Sequence, residues 1–306
     1  IPVVIGIAAK SGYSRSKLLM PLVFAAAMGG NISLIGAPGN LIAQAALQDI
    51  GLNFAFFDYG KIGLPMLVAG ILFFATVGYR LLPDKPSVKT ETAFDEEVDY
   101  SNVPAWKQYL ALVILVLTIL AMIFEDVIGI NLAISGGIGA ILLILTGVIS
   151  EKQAVRSIDM QTIFLFGGTL SLAKALEVTG AGEKIAEVVI GLIGDNASPF
   201  LLLVVVFVLA CVMTNFMSNT ATTALLVPIS ISIAQGMGAD PSAVVMATVI
   251  GGSCAYATPI GMPANTMVLA PGGYKFTDYV KAGLPLILVS TVVSLILLPI
   301  FFPFYP

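Results

Sequence analysis

Three short stretches hold the groups in this chain that could do chemistry. Thr214–Thr223 contains Ser218-Asn219-Thr220, hydroxyls and an amide with no charge, set between apolar runs. Gly29–Asn40 (GGNISLIGAPGN) and Gly251–Asn265 (GGSCAYATPIGMPAN) are rich in Gly and Pro, and each ends in G-x-P-x-N. Gly and Pro interrupt a helix and free its carbonyls. Such carbonyls, together with Ser, Thr and Asn oxygens, are hard neutral donors suited to sodium ions (Na+), and helix N-termini with hydroxyl or amide donors suit a carboxylate. No Lys or Arg lies in any of the three stretches. An anion bound there would lean on helix ends, each worth about half an elementary charge, and on bound cations. Strong cation dependence is the expectation.

The surroundings set what these groups can be. The chain is 58% hydrophobic and 10% charged, with a mean hydropathy of +1.00. Apolar runs such as Tyr109–Phe124, Leu132–Ile149 and Phe200–Val212 approach or reach spanning length. The predicted class is an all-α polytopic membrane protein, with the lipid bilayer as its solvent. No alternating pattern suggests a barrel, and no basic patch suggests nucleic acid. In a bilayer, an unsatisfied backbone group costs several kcal/mol, so broken helices at depth line a cavity or are buried in protein. Single Ser and Thr residues in membrane helices commonly bond back to the preceding turn. The cluster beside two broken helices is read as functional. The chain has no histidine, and no acidic residue lies in the three stretches, which argues against a serine hydrolase and against enzymes generally. Cys211 and Cys254 read as small buried residues, Tyr256 as packing, and Pro228 and Pro285 as kinks or helix starts.

An internal repeat organises the rest. DYGKIGLP (Asp58–Pro65) returns as DYVKAGLP (Asp278–Pro285), LIGAPGN (Leu34–Asn40) as PIGMPAN (Pro259–Asn265), and IPVVIGIA (Ile1–Ala8) as VPISISIA (Val227–Ala234). The offset at the motif asparagines is 265 − 40 = 225. The partner of Ser218-Asn219-Thr220 would fall upstream of Ile1. The chain is therefore expected to hold the end of one repeat and the whole of a second. Alternating the spans across the bilayer, with 199–235 as a re-entrant hairpin, puts every Lys and Arg except Lys61, Lys174 and Lys184 on the cytoplasmic side. The same model puts the two DYxKxGLP copies on opposite faces, so the repeats are expected to be inverted. Residues 83–104, acidic and bounded by prolines, read as a cytoplasmic linker. Gly182–Gly194 reads as an amphipathic helix in the interface plane.

On these residues the chain resembles the divalent anion/sodium symporter family, the dicarboxylate and sulfate carriers. Ser218–Thr222 (SNTAT) resembles the family's Ser-Asn-Thr motif, Leu165–Gly180 its preceding helix, and Ser253–Val268 its signature. Tyr256 stands where Phe is usual, and Met262-Pro263-Ala264 where Thr-Pro-Pro is common. The resemblance implies an elevator transporter, usually a homodimer, in a bacterial inner (plasma) membrane. It implies transport-domain segments 1–82 and 197–306, scaffold helices 105–177 and an interfacial arm 178–196. It implies one sodium site at Thr214, Ser218, Asn219, Gly261 and Pro263 and a second at Gly36 and Ala37. The substrate is expected at Ser218, Asn219 and Thr220, with Gly261, Met262, Pro263, Asn40 and Asn265 beside it. Sodium-coupled uptake of a succinate-, malate- or citrate-like anion is the leading expectation. Sulfate symport or sodium-independent exchange is the alternative.

Overall fold

Gly and Pro punctuate the apolar sequence where the helices stop. The structure, a computed structural model, describes residues 1–85, 104–156 and 198–305, with positions 158, 164, 171, 175 and 178–180. Most of the linker, the amphipathic segment Gly182–Gly194 and most of Leu165–Gly180 lie outside the described residues. The chain divides into two compact units, Ile1–Thr92 with Phe164–Pro306, and Ala93–Ile163. Among the described residues there is no β-strand.

In the first unit run α1 (Pro2–Ser11), α2 (Arg15–Gly29), α3 (Pro38–Gln48) and α4 (Gly60–Thr76). The second unit contributes α5 (Ala105–Ile123) and α6 (Leu132–Leu145), and the first unit resumes with α7 (Pro199–Thr214), α8 (Asn219–Gly236), α9 (Ser242–Gly252), α10 (Pro263–Leu269) and α11 (Phe276–Phe301). Helices α5 and α11 are long and apolar enough to cross a bilayer. In α5, Leu112, Val113, Leu115, Val116, Leu117 and Leu120 are all exposed, as a lipid-facing helix requires. Within the second unit α5 packs on α6. Gly139 makes this possible, because a Cβ there would lie 2.2 Å from Thr118 Oγ1. Pro228 and Pro285 are neither helix starts nor ends; both lie inside helices, α8 and α11.

The repeat seen in the sequence has matching local geometry. Each copy is a helix, an interruption, a Pro-led helix and a longer helix: α2, residues 30–37, α3 and α4; then α9, residues 253–262, α10 and α11. The residue before each Pro is extended, Ala37 at φ −148°, ψ 149° and Met262 at φ −146°, ψ 150°, as the proline ring demands. Helices α4 and α11 pack on one another, and each lies tight on an interruption through one glycine. A Cβ on Gly63 would stand 1.9 Å from the Asn31 carbonyl oxygen, and one on Gly283 would stand 2.1 Å from that of Tyr256. Tyr256 is fully buried and packs on Phe24 with ring centroids 5.3 Å apart. Cys211 and Cys254 are free and buried.

The residues that lead out of the first unit are pinned to both halves of it. Lys85 Nζ pairs with the Asp278 carboxylate and donates to the Gly273 carbonyl at 2.7 Å. The Ser16 hydroxyl donates to Pro83 O at 2.7 Å and accepts from Lys85 N at 3.0 Å. Lys17 lies 2.5 Å from Asp84, and its hydrogen bond holds that exposed carboxyl below the usual carboxylate range. The Tyr274 hydroxyl completes the cluster, donating to Ser16 O at 2.7 Å and accepting from Met20 N at 2.9 Å.

Candidate functional site

The helical hairpin α7–α8 turns at residues 215–218, and this tip lies against the second interruption. Thr214, the last residue of α7, is fully buried. Its hydroxyl lies 2.7 Å from Asn219 Oδ1 and also within hydrogen-bond reach of the Gly252 carbonyl. Two acceptors thus face one hydroxyl proton. That surplus of neutral oxygen suits a cation, with no carboxylate required. The backbone closes in beside it, since a Cβ on Gly261 would lie 2.7 Å from Thr214 O. Only glycine permits that approach.

Asn215 locks the tip to the loop. Its Nδ2 donates to Cys211 O at 2.7 Å and Cys254 O at 3.2 Å, and its Oδ1 accepts from Ala257 N at 2.9 Å. Its own carbonyl accepts from Thr258 Oγ1 at 2.5 Å, and that hydroxyl oxygen accepts from Gly261 N at 3.1 Å. Neither Asn215 nor Thr258 was expected from the sequence. The available signal was an amide at the end of an apolar hairpin arm, which when buried must find partners.

Ser218 caps α8, its hydroxyl accepting from Ala221 N at 3.1 Å, and it is exposed. Asn219 and Thr220 follow in the first turn, both half-buried, so the Ser-Asn-Thr triplet faces outward at a helix N-terminus. Pro263 is exposed and Met262 is buried. Met262 and Ala37 hold the N-cap positions of α10 and α3 without a side-chain cap. The structure brings Thr214, Asn219 and Gly261 together. Gly36 and Ala37 belong to the other interruption, where a Cβ on Gly36 would lie 2.2 Å from Gly30 O. The two regions meet at α8. Thr223 Oγ1 would stand 2.9 Å from a Cβ on Gly39 and 3.2 Å from one on Gly252.

Asn40 and Asn265 are both fully buried, and the side-chain oxygen of each has no hydrogen-bond partner. Asn40 Nδ2 donates to Gly30 O at 3.1 Å and Ser33 O at 2.9 Å. Asn265 Nδ2 donates to Ala255 O at 2.8 Å and Thr258 O at 2.8 Å. These carbonyls are repeat mates, so the same staple is built twice. Each asparagine carbonyl is capped in turn by a tyrosine of the DYxKxGLP motif, Tyr59 to Asn40 O at 3.1 Å and Tyr279 to Asn265 O at 2.7 Å. The amides must reach in this way because freed carbonyls in an apolar interior need donors.

The pattern of the citrate transporter family matches residues 1–251 and, overlapping them, 198–305. The chain belongs to this family. Membership makes it an integral membrane protein of a transporter family. It is 32% identical over 292 residues to an uncharacterized transporter of Haemophilus influenzae, covering 90% of this chain and 60% of that protein. It is 28% identical over 299 residues to an uncharacterized transporter of Methanocaldococcus jannaschii, covering 96% of this chain and 66% of that one. A sodium-dependent dicarboxylate transporter of Staphylococcus saprophyticus is 23% identical over 300 residues, covering 91% of this chain and 57% of that protein. The chain spans less than two thirds of each of these relatives.

Proposed function

We propose that this citrate-family chain takes part in sodium-coupled uptake of a di- or tricarboxylate, and that its first unit carries the sites. The observation that carries the reading is the cluster of uncharged oxygens at the hairpin tip, where Thr214 Oγ1, Asn219 Oδ1 and Gly252 O share a single hydroxyl proton. Sodium, as co-transported substrate, would take these oxygens and the backbone beside Gly261. A second ion would use Gly36, Ala37 and neighbouring carbonyls. The substrate carboxylate would meet the donors of Ser218, Asn219 and Thr220 at the start of α8, with Met262 and Pro263 alongside. Moving a bare dianion through a low-dielectric path is prohibitive. Two sodium ions would neutralise it, which supports coupling in a site that lacks Lys and Arg.

The elevator form of the reading is what the family resemblance implies, with the repeat in support. The matching halves enter the membrane from opposite faces, and the unit holding the sites moves as a body while α5 and α6 belong to the static part. Two copies of the protein would pair. The name of the Staphylococcus relative supports both sodium and a dicarboxylate, and the family description supports citrate.

The test is uptake by proteoliposomes of the full-length protein, with and without an inward sodium gradient, across citrate, succinate and sulfate. Accumulation of a carboxylate that collapses without sodium is expected. Uptake indifferent to sodium would refute the coupling, and uptake of sulfate alone would refute the substrate class.

A further inference from the structure

The two interruptions are joined by a direct side-chain hydrogen bond. Ser253 Oγ, at the start of the second, lies 2.9 Å from the Asn31 amide in the first and 2.9 Å from Val249 O one turn back. Both residues are buried. The contact survives either orientation of the amide, because a hydroxyl both donates and accepts. The repeat does not demand this bond. At the common offset the equivalents of Asn31 and Ser253 are Tyr256 and Met28, and a thioether has no proton to donate. The tyrosine hydroxyl at that equivalent position has no hydrogen-bond partner.

The placement of the bond matters more than its presence. Ser253 follows Gly252, whose carbonyl is one of the oxygens at the hairpin tip. Asn31 follows Gly30, whose carbonyl is gripped by Asn40 and abuts Gly36. One bond therefore connects the backbone of one proposed sodium site to that of the other. A second link runs in parallel through Thr223, wedged between Gly39 and Gly252. Asn31 is itself clamped from behind, since α4 lies on its carbonyl at Gly63. The Nδ2 of Asn31 is buried with no partner, a costly arrangement for a group with only a packing role.

We infer that Asn31 and Ser253 are positioning residues that couple the two sodium sites, so that filling one shapes the other. The inference rests on the sodium-coupled reading above. Coupling of this kind is reciprocal and appears as cooperativity.

The experiment is the sodium dependence of citrate and succinate uptake by the full-length protein in proteoliposomes. It compares the unchanged protein with Ser253→Ala, Asn31→Ala, the double variant and Ser253→Thr. The unchanged protein should show a Hill coefficient above that of independent sites. Both alanine variants should fall to independent-site behaviour, with half-saturating sodium raised roughly five-fold or more. The double variant should be no worse than either single one, and Ser253→Thr, which keeps the hydroxyl, should retain cooperativity. Lowered thermal stability with unchanged cooperativity would overturn the inference and leave the pair merely structural. Should the alanine variants unfold, loss of cooperativity in Ser253→Thr with normal stability would overturn it as well. Sodium-independent uptake by the unchanged protein would overturn the underlying reading instead.

Discussion

The first interruption, residues 30–37, and the second, residues 253–262, use the same internal fastening in different surroundings. Each is stapled by one asparagine and capped by one tyrosine at repeat-equivalent positions. The second is additionally clasped by the hairpin tip through Asn215 and Thr258, and Ser253–Pro259 are all buried. In the first, Gly36 is exposed and Ile32, Ser33 and Ile35 are half-buried. The comparison separates two jobs. The staple and its tyrosine cap fasten each interruption from within. The hairpin tip adds the oxygens that could hold an ion.

The largest effect should come from the glycines on which both interruptions rest. Gly63→Val and Gly283→Val each drive a side chain into a backbone carbonyl. Each should destabilise the protein by about 3 kcal/mol, read by thermal unfolding in detergent. A loss at one site only would break the equivalence of the halves. Next, Asn215→Ala removes the clasp and strands its buried partners. It should cost about 2 kcal/mol and reduce sodium-dependent binding, whereas Asn40→Ala should cost a similar amount through the other interruption. Asn219→Ala should leave unfolding unchanged and weaken sodium-dependent substrate binding at least about tenfold, or about 1.4 kcal/mol. Unchanged binding would remove the hairpin tip from the site. The smallest effect belongs to Tyr59→Phe and Tyr279→Phe, about 1 kcal/mol each in stability. Their near equality is the finest test of the comparison.

Much of this was legible because the signals are local. Gly-Gly pairs, G-x-P-x-N and Ser-Asn-Thr stand out against apolar sequence, and helices stop there because glycine and proline cannot continue them in lipid without help. The repeat was legible because DYxKxGLP does one job twice, its tyrosine capping an asparagine and its glycine admitting a backbone. Asn215 is marked locally as an amide at the end of an apolar arm, but its bond to Thr258 joins residues far apart in sequence, so its partner is not. Asn40 and Asn265, expected beside the substrate, each use the amide nitrogen to hold loop carbonyls and leave the oxygen unpaired. Their burial shows that a conspicuous polar residue in an apolar chain can serve the backbone. Pro228 and Pro285, read as kinks or helix starts, both lie inside helices, which removes only the helix-start alternative.

The pinning of Lys85 to Asp278, Gly273 and Ser16 sets the length of a tether. The chain is held to the first unit as far as Lys85, well past the end of α4 at Thr76. From Lys85 to Pro104, where α5 is about to begin, a fully extended backbone reaches roughly 65 Å. That reach is a covalent ceiling on the separation of those two residues, and freeing Lys85 would extend the span back toward α4 without altering a residue of the proposed site.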